Sequence, residues 1–285
     1  MNMFYYDSIC DGSNMVNEDV ANINKYGAWI LDGATGLNGK NLIDKDSDAK
    51  WYVRQWDEYV NKNFHKTDIN LKRIVKEGIN VIKDKYYKKV KDKNIKALDL
   101  PSSSIVLTRW IEDYLEYFIL GDCTLIIENN NKLNVIKDDS VTKLDNKVFE
   151  AMDNIMKKED KTFLEARKEV NDLIIENRLL KNTNEGYWIL GFDTEAADRA
   201  LYGKIRLNKD MKVLIASDGF SAITDRYNYI DIENLIYETQ NKGLDSICKK
   251  LREIEEEDSS GDKYPRFKKN DDASAIYVEL INKVN

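Results

Sequence analysis

Apolar and polar positions along this chain follow two periods, and the switches between them lay out its elements. Ala28-Trp29-Ile30-Leu31 runs into Asp32-Gly33, and Val213-Leu214-Ile215-Ala216 runs into Ser217-Asp218-Gly219. Short apolar runs of this length, rich in β-branched residues and closed by glycine, read as strands inside a core. Met3-Phe4-Tyr5-Tyr6 predicts an opening strand, with a turn at Asp11-Gly12-Ser13-Asn14. After Pro101, short strands are expected at Ser104-Ile105-Val106-Leu107, Tyr117-Phe118-Ile119-Leu120, Thr124-Leu125-Ile126-Ile127 and Leu133-Asn134-Val135-Ile136. The turns Gly121-Asp122 and Asn129-Asn130-Asn131 suit antiparallel hairpins. A final strand is expected over 273 to 281.

Between these blocks the period lengthens. Residues 48 to 64 place Tyr52, Val53, Trp56, Val60 and Phe64 near one helical face, and residues 68 to 90 do the same with Leu71, Val75, Ile79 and Ile82. Asp68 is a candidate cap for the second helix. Residues 145 to 180 read as a pair of highly charged, surface-packed helices, with Phe149, Met152, Ile155 and Met156, then Phe163, Val170 and Ile174 as apolar stripes. Further helices are expected over 231 to 241 and 243 to 257. Strands in blocks, separated by helices without regular strand-helix alternation, predict an α+β layered architecture. No repeat or low-complexity linker marks a boundary, so residues 1–285 are expected to form one domain.

Composition narrows the function. Of the 285 residues, 42% are hydrophobic and 33% charged, the profile of a globular chain with a sizeable core. A net charge of −7 argues against a general nucleic-acid or anionic-membrane surface. No run approaches the roughly 20 apolar residues that span a bilayer, and the N-terminus lacks the pattern of a secretion signal. Cys10, Cys123 and Cys248 stand far apart without CxxC spacing, as reduced thiols of a cytoplasmic protein do. With His65 as the single histidine, Ser-His-Asp, Cys-His and multi-histidine metal chemistries drop out.

The remaining chemistry is carboxylate chemistry. A carboxylate at the end of a buried strand is costly unless it is paired or bound to a cation. Several gathered from distant positions make an oxygen cage suited to magnesium or manganese. Each station also has an ordinary alternative: Asp32-Gly33 as a turn, Ser217-Asp218-Gly219 as a helix cap, Gly121-Asp122 as a hairpin, and Asp271-Asp272 as solvated turn carboxylates. The stretch from Gly33 to Lys40 has one residue too many between glycines for a phosphate-binding loop, and Asn41 stands where a Ser or Thr belongs.

Taken in order, Asn17-Glu18-Asp19, Leu31-Asp32-Gly33-Ala34-Thr35-Gly36, Leu120-Gly121-Asp122, Ala216-Ser217-Asp218-Gly219 and Asn270-Asp271-Asp272-Ala273-Ser274 resemble the type 2C family of metal-dependent serine/threonine protein phosphatases, in a divergent bacterial-type form. The resemblance implies a four-layer αββα sandwich of two antiparallel β-sheets flanked by helices. It also implies a phosphomonoester hydrolase acting on phosphorylated proteins, with a water bridging two divalent metals, magnesium or manganese, as the attacking group. By the same resemblance Asp32 bridges the metals, the Gly33 carbonyl binds the first, Asp218 and Asp271 bind the second, and Glu18 holds a metal-bound water. Asp122 with Asp218 matches the pair that binds a weaker third ion.

The chain departs from the family pattern at several positions. Asn14 stands where many members have a phosphate-binding arginine, Ala34 where some have histidine, Ala222 where some have an acid, and Asp272 where asparagine is usual. These departures predict retained metal binding with a non-standard substrate or slow turnover. They keep two alternatives open: a pseudo-phosphatase that binds a partner, and a hydrolase of small phosphoesters.

Overall fold

The computed structural model describes residues 3–13, 16–37, 40–91, 94–208, 210–261 and 263–281. Asn14, and Asn38 and Gly39 of the glycine-rich stretch, lie outside the described residues.

Ten strands among the described residues form two five-stranded sheets, antiparallel throughout. The first sheet runs β1 (Met3–Asp11), β10 (Ala273–Ile281), β9 (Lys212–Ala216), β6 (Thr124–Asn129), β7 (Lys132–Ile136). The second runs β2 (Asp19–Asn24), β3 (Gly27–Ala34), β4 (Ser102–Ile111), β5 (Tyr114–Leu120), β8 (Leu201–Arg206).

Both faces of each sheet are covered, which is why the inner strands read as unbroken apolar runs rather than as alternating ones. Ala28 and Ile30 of β3, with Val106, Leu115 and Ile119, pack against Leu125, Val213, Ile215, Ile276 and Val278 to fill the space between the sheets. The intervening residues Trp29 and Leu31, with Ile105 and Leu107, face the other way, onto α1 (Asp48–Asn63) and α2 (Leu71–Val90). On the far side, Leu214, Ala216, Ala275 and Tyr277 pack onto α7 (Asp218–Asp225), α8 (Ile232–Lys242) and α9 (Leu244–Glu257). Each fully buried aliphatic or aromatic side chain in these layers contributes about 1.5–3 kcal/mol relative to exposure. The αββα layering is the one expected.

Three local expectations are corrected. Gly121-Asp122 is not a hairpin: β5 belongs to the second sheet and β6 to the first, so the turn carries the chain across the sandwich. The hairpin lies one turn earlier, between β4 and β5, where Glu112 takes a φ of 49°. The segment expected as two helices contains three, α3 (Ser140–Glu159), α4 (Phe163–Glu169) and α5 (Asn171–Leu179), around Val148, Met152, Phe163, Ala166 and Val170. The cap of α2 is Asn70, whose side chain accepts the Arg73 N–H at 2.9 Å, and not Asp68. A short helix, α6 (Ala196–Arg199), completes the set among the described residues.

Candidate active site

A cavity of about 350 Å³ opens where β3 of one sheet and β9 and β10 of the other run out. Glu18, Asp32, Gly33, Asp122, Asp218 and Asp271, the six positions singled out in the sequence, all line it. The strand period explains Asp32. It follows Ala28 and Ile30 at two-residue steps, so its carboxylate continues the row that fills the sandwich, in register with Asp19 and Ser104.

Two glycines allow the stations to close. A Cβ on Gly33 would stand 2.5 Å from the Glu18 carbonyl, and one on Gly219 would stand 2.0 Å from the Asp272 carbonyl. Ser217 sits at the N-cap position of α7, as the cap alternative required. Its hydroxyl, however, accepts the Ser274 N–H at 2.9 Å, which ties the start of α7 to β10 and fixes Asp218 beside Asp271. Asp122, delivered by the crossover, accepts the Ser104 hydroxyl at 2.5 Å. The Glu18 carboxylate is held by the hydroxyls of Thr35 and Ser47.

Electrostatics show how closely these groups are drawn together. Burial pushes the Asp32 carboxyl well above its ordinary value, and the charges of Asp19, Asp218, Asp122 and Asp271 add to it. Asp218 is raised by burial and then by Asp122, and it lies within hydrogen-bonding reach of Asp32. Asp271 is pushed up to about 6 by burial and Asp218, against the pull of Lys268, whose ammonium stands 2.5 Å away. Asp19 is raised well above the usual range by burial, with its Oδ2 buried and without a hydrogen-bond partner.

Among the described residues, no three acidic, thiol or imidazole side chains stand in the arrangement of an ion's ligand set. The donor chemistry nonetheless fits a hard cation. The donors are oxygens, they suffer mutual repulsion, and beside them Asp19, opposite Asp32 in the β2–β3 register, keeps one buried carboxylate oxygen unpartnered; a divalent ion relieves that crowding of negative charge.

Sequence patterns did not reveal Asp145, which lines the cavity from α3 and is pushed up to about 6 by burial and by Asp218. Its signal was present: it sits among Val141, Leu144 and Val148 on the apolar stripe of an otherwise charged helix. Thr35 and Ser47 carried no comparable signal, since their role depends on a contact across the fold.

No family model matches the chain, and no curated protein matches its sequence. Solved structures match its fold over nearly the whole length. The catalytic domain of the serine threonine protein phosphatase PstP, in complex with two manganese ions, is 12% identical over 99% of this chain and 100% of that one, with a TM-score of 0.58. The serine/threonine phosphatase Stp1 from Staphylococcus aureus is 14% identical over 98% of this chain and 96% of that one, with a TM-score of 0.56. The PPM Ser-Thr phosphatase MsPP from Mycobacterium smegmatis, in complex with cacodylate, is 12% identical over 98% of each chain, with a TM-score of 0.52. The chain therefore has the fold of the PPM-type serine/threonine phosphatases, at an identity that marks it as divergent.

Proposed function

We propose that this chain is a metal-dependent phosphoprotein phosphatase that hydrolyses phosphoserine and phosphothreonine esters. The observation that carries this reading is the meeting of Asp32, from one sheet, with Asp218 and Asp271, from the other, in one cavity of a phosphatase fold. In this reading Asp32, Asp218, Asp271 and the Gly33 carbonyl would hold two magnesium or manganese ions. Glu18 would act through a water, and Asp122 with Asp218 would serve a weaker third ion. When bound, the ions supply Lewis acidity toward the phosphoryl oxygens and acidify water for attack.

The chain's own residues prepare that chemistry. Thr35 and Ser47 fix the direction in which the Glu18 carboxylate faces the cavity. Asp272 holds the Glu18 backbone at 2.8 Å, so both ends of that residue are set before substrate arrives. A water-based attack also suits the remaining side chains. Cys123 is buried with its thiol pushed well up by desolvation, and His65 is exposed.

The test is hydrolysis of p-nitrophenyl phosphate, phosphothreonine peptides and nucleotides by the purified chain, in manganese and in EDTA. Manganese-dependent cleavage of the peptides supports the reading. Preference for nucleotides points to small phosphoesters instead. Manganese uptake without any cleavage rejects the enzyme in favour of a binding module.

A further inference from the structure

Five cationic side chains line the cavity beside its carboxylates: Arg167, Arg178, Arg226, Arg266 and Lys268. Three are committed. Arg266 is buried and donates to the Asp258 carboxylate at 2.7 Å and to the carbonyls of Tyr264 and Lys269 at 2.9 and 2.8 Å, clamping its own loop. Lys268 pairs with Asp271. Arg167 lies over the Phe267 ring at 5.4 Å. Arg178 and Arg226 also line the cavity: among the described residues neither guanidinium is paired with a carboxylate, and Arg226 has a hydrogen bond with the neighbouring Tyr227 side chain.

We propose that Arg178 and Arg226 form the seat for the phosphate dianion of the substrate, an assignment that rests on the phosphatase reading above. The two come from separate walls. Arg178 is on α5, which Asn177 ties to α3 through a 3.1 Å hydrogen bond to the Leu144 carbonyl. Arg226 follows the last residue of α7, about two helical turns beyond Asp218 at the start of the same helix. Both line the same cavity as Asp145, whose carboxyl feels the positive charge of each.

A phosphomonoester arriving at pH 7 carries close to two negative charges and meets a floor of carboxylates. Bound metal would offset that floor around the carboxylates, and Arg178 and Arg226 add positive charge from two other walls of the cavity. Two planar guanidinium forks match the oxygens of a phosphoryl group, and each can donate two parallel hydrogen bonds, a geometry an ammonium cannot reproduce. The three-helix segment thereby acquires a role. It supplies one half of an anion seat whose other half belongs to the sandwich, and the site favours phosphomonoester dianions over singly charged diesters.

Calorimetric titration with inorganic phosphate tests the assignment without needing turnover. Wild type, Arg178→Gln, Arg226→Gln and the two Arg→Lys variants are titrated in the manganese-loaded and the metal-free state, and manganese affinity is measured in parallel. Each glutamine variant is expected to weaken phosphate binding by about tenfold or more, as loss of a charge-assisted hydrogen-bonding pair does. The lysine variants are expected to recover part of the loss, and manganese affinity to stay at the wild-type level. Phosphate binding at the wild-type level in both glutamine variants overturns the assignment, and so does a wild type that binds phosphate in neither state. A wild type that binds phosphate through these arginines yet hydrolyses no phosphoester removes the phosphatase reading and leaves the anion seat standing.

Discussion

The Asp272 carboxylate closes a loop 254 residues away in sequence: its Oδ2 accepts the Glu18 N–H at 2.8 Å, while Oδ1 accepts the Ser13 N–H at 2.9 Å and the Ser13 hydroxyl at 3.1 Å. Both oxygens are acceptors toward backbone donors, a demand that a carboxylate meets and a side-chain amide meets only by half. Asp272→Ala leaves two backbone donors without their partner, and Asp272→Asn turns an NH2 group toward one of them. Each is expected to cost about 1–3 kcal/mol in urea unfolding and to weaken manganese binding by loosening Glu18. Stability within 0.5 kcal/mol of wild type, roughly the scatter of neutral surface changes, in both variants contradicts the anchoring role.

The carboxylate cluster makes the metal-free chain sensitive to alkali. Asp145 and Asp271 are each pushed up to about 6 in the folded chain from an ordinary 3.8, and burial raises Asp32 well above its ordinary value in the same direction. A group whose folded value exceeds its unfolded value binds its proton more tightly when folded. Its stabilising contribution is therefore complete below the unfolded value and is lost as pH climbs through about 6. Thermal unfolding in EDTA is expected to show a lower Tm at pH 7.5 than at pH 5, with manganese abolishing the difference. Asp32→Asn is expected to raise the metal-free Tm at pH 7.5 while lowering manganese affinity at least about tenfold. A metal-free Tm that rises between pH 5 and pH 7.5 argues against the cluster.

A second buried charge system lies outside the cavity. Arg109 and Glu116, both fully buried, pair across β4 and β5 at 2.5 Å. Arg109 also donates to the carbonyls of Lys66 and Ile69, and Glu116 accepts from Tyr202 and from the Leu71 N–H. Arg109→Met strands a buried carboxylate and two carbonyls and is expected to destabilise the chain by about 3–5 kcal/mol. Neither residue lines the cavity. Manganese affinity of the folded fraction is expected to stay unchanged in calorimetry, and loss of metal binding at full folding would refute that separation.

The start of α2 offers a small, clean contrast. Asn70→Ala removes the acceptor for the Arg73 N–H and is expected to cost about 1 kcal/mol, whereas Asp68→Ala, two residues earlier, is expected to change stability by a few tenths at most. Denaturant melts of the two variants decide between the caps, and equal losses refute the assignment.

The fold was legible wherever burial on both faces left a continuous apolar run, as at Ala28 to Leu31, Val213 to Ala216 and the closing strand. There, composition alone set the element. Connections were harder, because Gly-Asp suits a hairpin and a crossover equally well. Only the pairing of β6 with β9 rather than β5 decides which one Gly121-Asp122 makes. The cap of α2 was misplaced for a related reason, since Asp68 and Asn70 are both competent acceptors and the φ and ψ of the following residues choose between them. In the cavity, Asp32, Asp218 and Asp271 could be found because each adjoins a strand. Asp145 was hidden because one acid in a helix rich in charge looks solvated until the helix is docked. Arg178 and Arg226 were hidden in the same way, because only the docked fold shows that they line the cavity.

Asp32 stands in β3 of one sheet, while Asp218 just follows β9 and Asp271 just precedes β10 of the other, and the facing layers share no strand there. The spacing of the acids is thus gauged by the thickness of hydrocarbon between the layers. Trimming Ile30, Ile215 or Ile276 in the inter-sheet core is expected to let the layers settle and to change manganese affinity in calorimetry, and unchanged affinity in all three variants would count against this gauge. The sandwich filling is in this sense the calliper of the chemistry, and a methyl group removed from its middle is felt at its rim.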